Sequence, residues 1–182
     1  MRQGVLPVIG LVAEGLNTTP FATGIVRSLD NASRVHGLSV VTINVGATRS
    51  GMAGVADARR FLPTAIVYAT SYHRVIALEP EVRRAIRLFI NCSEAAGDTP
   101  AIVPAEQEAA RAIVDHCLAR GRRRIAFLNL PGILAGRLRE AGFRAAHADR
   151  DVPVVEPWIL PATRGARYTD YAASLVPAQI AA

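Results

Sequence analysis

The chain has 182 residues, 51% of them hydrophobic, and a net charge of +6; it has no lysine, so all 21 basic residues are arginines. That apolar content excludes a disordered tail, and the length suits one large domain or two small ones with a substantial core. The arginines run from Arg2 to Arg167 without gathering into one arm, so charge alone is weak evidence for nucleic acid.

In chain order, MRQGVLPVIGLVAEG has a single arginine and a short apolar run broken by Pro7 and Gly10, which does not read as a signal peptide. No apolar run is long enough to span a membrane, and a cytoplasmic location is expected. Val8 to Ala13 reads as a strand buried on both faces. After the loop EGLNTTP, Thr19 can cap a helix whose first turn holds Pro20. Phe21, Ala22, Ile25, Val26, Leu29 and Ala32 recur at three- and four-residue spacing, and Gly37 ends that amphipathic helix. Ser39 to Asn44 is the next strand. A helix over Met52 to Phe61, a strand over Ala65 to Tyr68, a helix over Glu79 to Arg87 and a strand over Leu88 to Asn91 follow. Alternating strands and helices imply right-handed crossovers and a parallel sheet covered on both faces.

The texture changes at SEAAGDTPAIVPAEQ, a polar connector with one apolar piece at Ala101, Ile102 and Val103. A second alternating unit then begins: a helix over Glu106 to Arg120 with Ala109, Ala112, Ile113 and Cys117 inward, closed by Gly121. A strand over Ile125 to Leu130, a helix over Leu134 to Ala148, an irregular strand region from Val152 to Leu160 and a helix from Ala166 complete it. VHGLSVVTIN and LARGRRRIAFLN share a helix end, a glycine, a polar residue, an apolar strand and a final asparagine. The expected organisation is therefore two similar α/β subdomains: residues 1–91, a crossover over 92–105, and residues 106–182. Arg122, Arg123 and Arg124 fall between a helix-ending glycine and a core strand, where polar residues must cross the surface.

Motifs for enzyme chemistry are missing. The loop after the first strand lacks both the phosphate-binding GK[ST] and the G-x-G-x-x-G spacing, and there is no GxSxG elbow. His36, His73, His116 and His147 stand alone, and Cys92 and Cys117 form no CxxC, so neither metal nor cofactor is expected. The carboxylates are expected mostly on outer helix faces, with none paired for acid–base work. In an open parallel sheet ligands bind beyond the carboxyl ends of the strands. The residues there are Asn17, Thr18, Thr19 and Phe21, then Ser71, Tyr72, His73 and Arg74, then Asn91, with Asn129 and Arg139 in the second subdomain. Amides, hydroxyls, aromatics and a guanidinium suit a small polyhydroxylated ligand.

Across these loops the chain resembles a known family. VIGLVAEGLNTTPFATGIVRSLDNASRVHGLSVV resembles the opening of the effector-binding module of LacI/GalR-type bacterial transcription regulators. AIVYATSYHR resembles that family's third strand and its loop. LFINCSEAAGDTPAIVPAEQEAARAIVDHCLARGRRRIAFLNLPG resembles its subdomain crossover, and AGRLREAGFRAA its next helix. The resemblance implies a periplasmic-binding-protein-like type I α/β fold: two Rossmann-like parallel-sheet subdomains, the second incomplete. It implies a cytoplasmic homodimer that senses a sugar-like small-molecule effector and meets DNA only through an N-terminal helix-turn-helix absent from this sequence. Matched by position, Thr19, Phe21, Tyr72, Asn91 and Arg139 are the ligand-binding residues. Asn91-Cys92 stands where an Asp-Arg pair is commoner. Two alternatives stay open: a sugar solute-binding protein of a transporter, and a non-functional remnant of a regulator.

Overall fold

A computed structural model describes residues 7–16, 20–46, 50–95 and 97–161, with the backbone alone at 20–22. The chain divides into two compact units, Met1–Pro104 and Ala105–Ala182. The first is built on a parallel sheet of five strands in the order β2-β1-β3-β4-β5. These are β1 (Val8–Glu14), β2 (Ser39–Val45), β3 (Ala65–Ile76), β4 (Ile86–Glu94) and β5 (Ala101–Ile102). Helix α1 (Pro20–Val35) follows β1, α2 (Gly51–Arg59) follows β2, and the short α3 (Pro80–Ala85) follows β3.

Alternation along the strands sends side chains to two cores. Leu11, Ala13, Val67 and Ala69 pack under Ile25, Val26 and Leu29 of α1. Val12, Ile66, Tyr68 and Phe89 pack on the other face with Val55 and Ala58 of α2 and Val82 and Ala85 of α3. With both faces covered, a strand can be apolar on both, as β1 is from Val8 to Ala13. The expected α/β architecture holds.

Three details differ from the sequence reading, and a fourth expectation is untested. Strand β3 runs through Ile76, so Ser71 to Arg74 lie inside it and not after it. Helix α3 stops at Ala85 because Ile86 is extended (φ −88°, ψ 133°), buried and paired with Ile66. A β-branched residue with a core site and a strand partner is worth more there than one further helical residue. The apolar Ala101-Ile102 of the connector is a strand, β5, beside β4. The helix expected from Ala166 lies outside the described residues.

The second unit packs α4 (Glu106–Ala119) against α5 (Leu134–Ala148), beside the short strands β6 (Phe127–Asn129) and β7 (Ile159–Pro161), which pair in parallel. Its core is Val114, Leu118, Phe143 and Ala146. The inward face expected of α4 is not the one observed: Ala109 and Ala112 are exposed, Ile113 is 69% exposed, and Val114 and Leu118 are buried. The two stripes are adjacent, and α5 decides between them. At Gly142 of α5 an added Cβ would run into the Gln107 carbonyl on α4, so the helices meet where the glycine lets their backbones approach.

Helices α1 and α4 end alike. Gly37 and Gly121 are left-handed (φ 67° and 77°). Leu38 N–H donates to the Ser33 carbonyl at 2.9 Å, and Arg122 N–H to the Cys117 carbonyl at 3.1 Å. Both are Schellman closures. The arginine run thus begins on a cap, and Arg120, Arg122, Arg123 and Arg124 lie exposed around it.

Candidate functional site

The carboxyl edge of the first sheet concentrates polar groups that an apolar strand would not otherwise carry. Glu14 is the last residue of β1, pointing to the face that holds α2. Its Oε2 accepts the Tyr68 hydroxyl at 2.6 Å and lies 2.5 Å from Arg74 Nη2. Tyr68 is buried in β3, and its ring meets Phe89 edge-on at 6.1 Å. Gly51 opens α2 directly above the phenol, and a Cβ there would collide with the hydroxyl. The Arg74 guanidinium also lies over the Tyr72 ring, 5.4 Å from its centroid.

Burial by itself would raise the Glu14 carboxyl. The hydrogen bonds from Arg74 and Tyr68 and the Arg74 charge outweigh it and hold the group below its ordinary 4.5. Burial, then the bond to Glu14, pushes the Tyr68 hydroxyl up. Burial also pushes the Cys92 thiol up to about 11, which makes it a poor nucleophile. Both cysteines are free, Cys92 buried and Cys117 half-buried.

A second polar group closes the gap between β3 and β4. Their ladder runs to Ala69↔Ile90 and resumes at Arg74↔Cys92, so Thr70 to His73 bulge opposite Asn91 alone. Two side chains clasp the bulge. Asn91 Nδ2 donates to the Thr70 carbonyl at 3.0 Å, and Thr70 Oγ1 shares its proton between the carbonyls of Asn91 (2.8 Å) and Tyr72 (2.9 Å). Asn91 takes φ 59°, a left-handed value that asparagine tolerates better than most residues. It is 3% exposed, and its Oδ1 is a buried acceptor with no protein partner among the described residues. A buried amide oxygen left in that state costs on the order of 1–3 kcal/mol unless a donor arrives.

Of the five residues expected to bind ligand, the structure brings two together. Tyr72 sits half-buried in the bulge and Asn91 faces that bulge from β4. Thr19 lies outside the described residues, and Phe21 is in the first turn of α1, where only the backbone is described. Arg139 is on α5 of the second unit, with Nε donating to Glu106 Oε2 at 2.5 Å. Its side chain is 52% exposed, whereas Glu106 is almost wholly buried. The sequence reading missed Glu14, Tyr68 and Glu106; both carboxylates lie away from the outer helix faces where most were expected, each paired with an arginine. A polar residue ending the apolar run of β1 was the available signal for Glu14.

Beside this edge, Glu14, Ser50, Met52, Tyr68, Arg74 and Leu78 line an open depression of about 480 Å³. Among the described residues no cluster of three or more His, Cys, Asp or Glu could hold a metal ion, and no helix is long and apolar enough to cross a membrane.

The sequence matches the family model for periplasmic binding proteins and the sugar-binding domain of the LacI family over residues 6–174. No curated protein matches it. Among solved structures it is similar to a putative LacI-family transcriptional regulator from Rhizobium etli, at 23% identity and a TM-score of 0.73, covering 89% of this chain and 60% of that one. It is also similar to a putative ribose operon repressor from Burkholderia thailandensis (22%, TM-score 0.63, 86% and 61%). A third similar structure is the lac repressor dimer bound to operator and an anti-inducer (20%, TM-score 0.65, 85% and 55%). The chain therefore spans about three fifths of the length of the regulators it matches. At these identities the likeness to solved structures establishes the fold.

Proposed function

This chain belongs to the family of periplasmic binding proteins and LacI-type sugar-binding domains, and from that premise we propose that it is an effector-sensing module of a transcription regulator. Its effector is a neutral, sugar-like molecule. The ligand residues are Tyr72 and Asn91, with Thr19 and Phe21 earlier in the chain and Arg139 later.

The observation that carries this reading is the buried Asn91 Oδ1. Its amide nitrogen is engaged by the Thr70 carbonyl, so the free atom can only accept. A hydroxyl is the matching donor, and Tyr72, in the bulge opposite Asn91, carries a flat ring of the kind on which sugar faces stack. An amide where a carboxylate is commoner removes a formal charge from the contact and favours a neutral ligand. Regulation through a homodimer and operator DNA belongs to the same proposal. The solved lac repressor structure, a dimer on operator, supports it as a relative of the same fold.

Thermal-shift screening of neutral sugars and sugar derivatives, followed by calorimetry on any hit, tests the reading. Asn91→Leu should abolish saturable binding, and Arg139→Ala should weaken it far more than Arg111→Ala. Arg111 is an exposed residue paired with Asp149 and serves as the control. Equal affinities for the Arg139 and Arg111 variants would remove Arg139 from the site. The chain by itself should not retain an operator-like duplex selectively, because its arginines are scattered over turns and helix faces. Weak, steeply salt-dependent association is the most that such arginines support. Selective retention of a duplex at physiological salt, in a competition assay, would refute that part.

A further inference from the structure

We infer that Glu14 is a specificity-determining residue that makes the carboxyl edge of the first unit reject anions. Arg74 and the Tyr68 hydroxyl are the kind of donors that capture a phosphate, sulfate or carboxylate, and both border one open depression. In this protein each already gives a donor to the same Oε2 of Glu14, Tyr68 through its hydroxyl and Arg74 through Nη2, while Arg74 Nε is buried without a partner among the described residues. The carboxylate is therefore a resident anion, held in the place where a ligand's anionic group would have to sit.

The arrangement is built into the fold. Glu14 ends β1, Tyr68 and Arg74 lie on either side of the β3 bulge, and β1 and β3 are adjacent strands. The bulge sets Arg74 back into register opposite Cys92, on the face that carries Tyr68 and Glu14, and its guanidinium then overlies Tyr72. The charge of Arg74 is cancelled within bonding distance, so the Tyr72 side of the edge faces a paired and not a free cation. An anionic group brought there would meet the Glu14 carboxylate at short range in a partly desolvated site, where like charges repel strongly. A neutral polyol meets no such repulsion. The inference takes the ligand class from the proposed sensing role, but the charge balance is a property of the edge itself and can be measured without any sugar.

The test titrates sulfate into the whole chain at constant ionic strength, following the amide resonances of Tyr68 and Arg74. Wild type should show no saturable binding. Glu14→Gln should acquire it, by roughly tenfold or more in apparent affinity, the scale of one charge-assisted hydrogen bond. The double change E14Q/R74M should lose it again. Glu14→Asp, which keeps the charge on a shorter side chain, should stay closed; if it opens as E14Q does, crowding and not charge excludes anions, and the inference fails. It fails equally if wild type binds sulfate through Arg74, or if folded E14Q gains nothing. The reciprocal variant Arg74→Ala guards against a misfolded E14Q. It leaves the carboxylate without its cation, held by the Tyr68 hydroxyl alone, and should gain saturable affinity for guanidinium ion, which wild type lacks; no gain overturns the inference. A failed sugar screen leaves these titrations readable, and failed titrations leave the sugar screen readable.

Discussion

In the first unit a five-stranded parallel sheet supplies the core, and helices cover both of its faces. In the second, the described residues build a core around two helices in close contact, beside a pair of three-residue strands. Their polar interactions differ in the same sense. The first unit joins neighbouring strands through half-buried and buried groups: Glu14 with Tyr68 and Arg74, Thr70 with Asn91. The second ties α4 to the end of α5 mostly at the surface, with Arg111 on Asp149 and Arg150 on Asp115, while Arg144 grips both Glu140 and Glu156; the inner exception is Arg139 on the buried Glu106. Exposed pairs of that kind contribute only about 0–1 kcal/mol each. Much of the arginine in this chain therefore orders surfaces without deciding stability, and the first unit's few inner polar contacts matter more individually.

The largest effect should come from emptying the sheet core. Phe89 is fully buried, and Phe89→Ala should cost about 3–5 kcal/mol. Hydrogen exchange should show the loss in β1, β3 and β4 while α4 and α5 keep their protection. If α4 and α5 lose protection to the same extent, the two units do not unfold separately, and the contrast drawn above breaks.

A smaller loss, about 1–3 kcal/mol, should follow Gly142→Ala, because a Cβ has no room against Gln107 and the helices must separate. The single tryptophan, Trp158, lies in the second unit, in a one-turn 3-10 helix with Arg124 over its ring. Its fluorescence should report this change and be nearly silent for Phe89→Ala. A Trp158 transition that moves as far for Phe89→Ala as for Gly142→Ala would contradict the division.

The response to pH should separate the units by a smaller margin. In the first, the Glu14 carboxyl is held below 4.5 in the fold. The stability it supplies is present above 4.5 and is lost as pH falls through the lower folded value. Tyr68 and Cys92 are shifted up, so what they supply is present at neutral pH and is lost as pH rises, starting near 9 for Cys92. Glu14→Gln should flatten the acid limb of denaturant unfolding monitored at β1 and β3 and also reduce the alkaline limb, because the Glu14 carboxylate contributes to the upward shift of Tyr68. In the second unit the Arg144 bond holds Glu156 below its ordinary value, on an exposed surface. Its part of the acid limb should shrink in high salt, while that of half-buried Glu14 should persist. Equal salt sensitivity in both units would erase the distinction between inner and surface ion pairs.

What the sequence determined by itself is what neighbouring residues decide together. The apolar face of α1 at Ile25, Val26 and Leu29, the glycines that stop α1 and α4, and the apolar strands between them were legible, because periodicity and capping act over a few residues. The Gly121 closure joins residues five apart, so local sequence is enough to account for Arg122 to Arg124 at the surface. Only the tertiary structure decided the rest. Tyr68 and Glu14 are 54 positions apart, and Arg139 and Glu106 are 33 apart. The bulge at Thr70 to His73 exists only as a mismatch between two strands, so neither strand's own sequence reveals it. The inward stripe of α4 likewise depended on where α5 could approach, which a glycine 36 positions after Glu106 settles at Gly142. Asn91 shows both influences. Its residue type and place at the end of an apolar strand marked it as a candidate, but the pairing with Thr70 that leaves its carbonyl oxygen buried and waiting for a donor is made by the sheet.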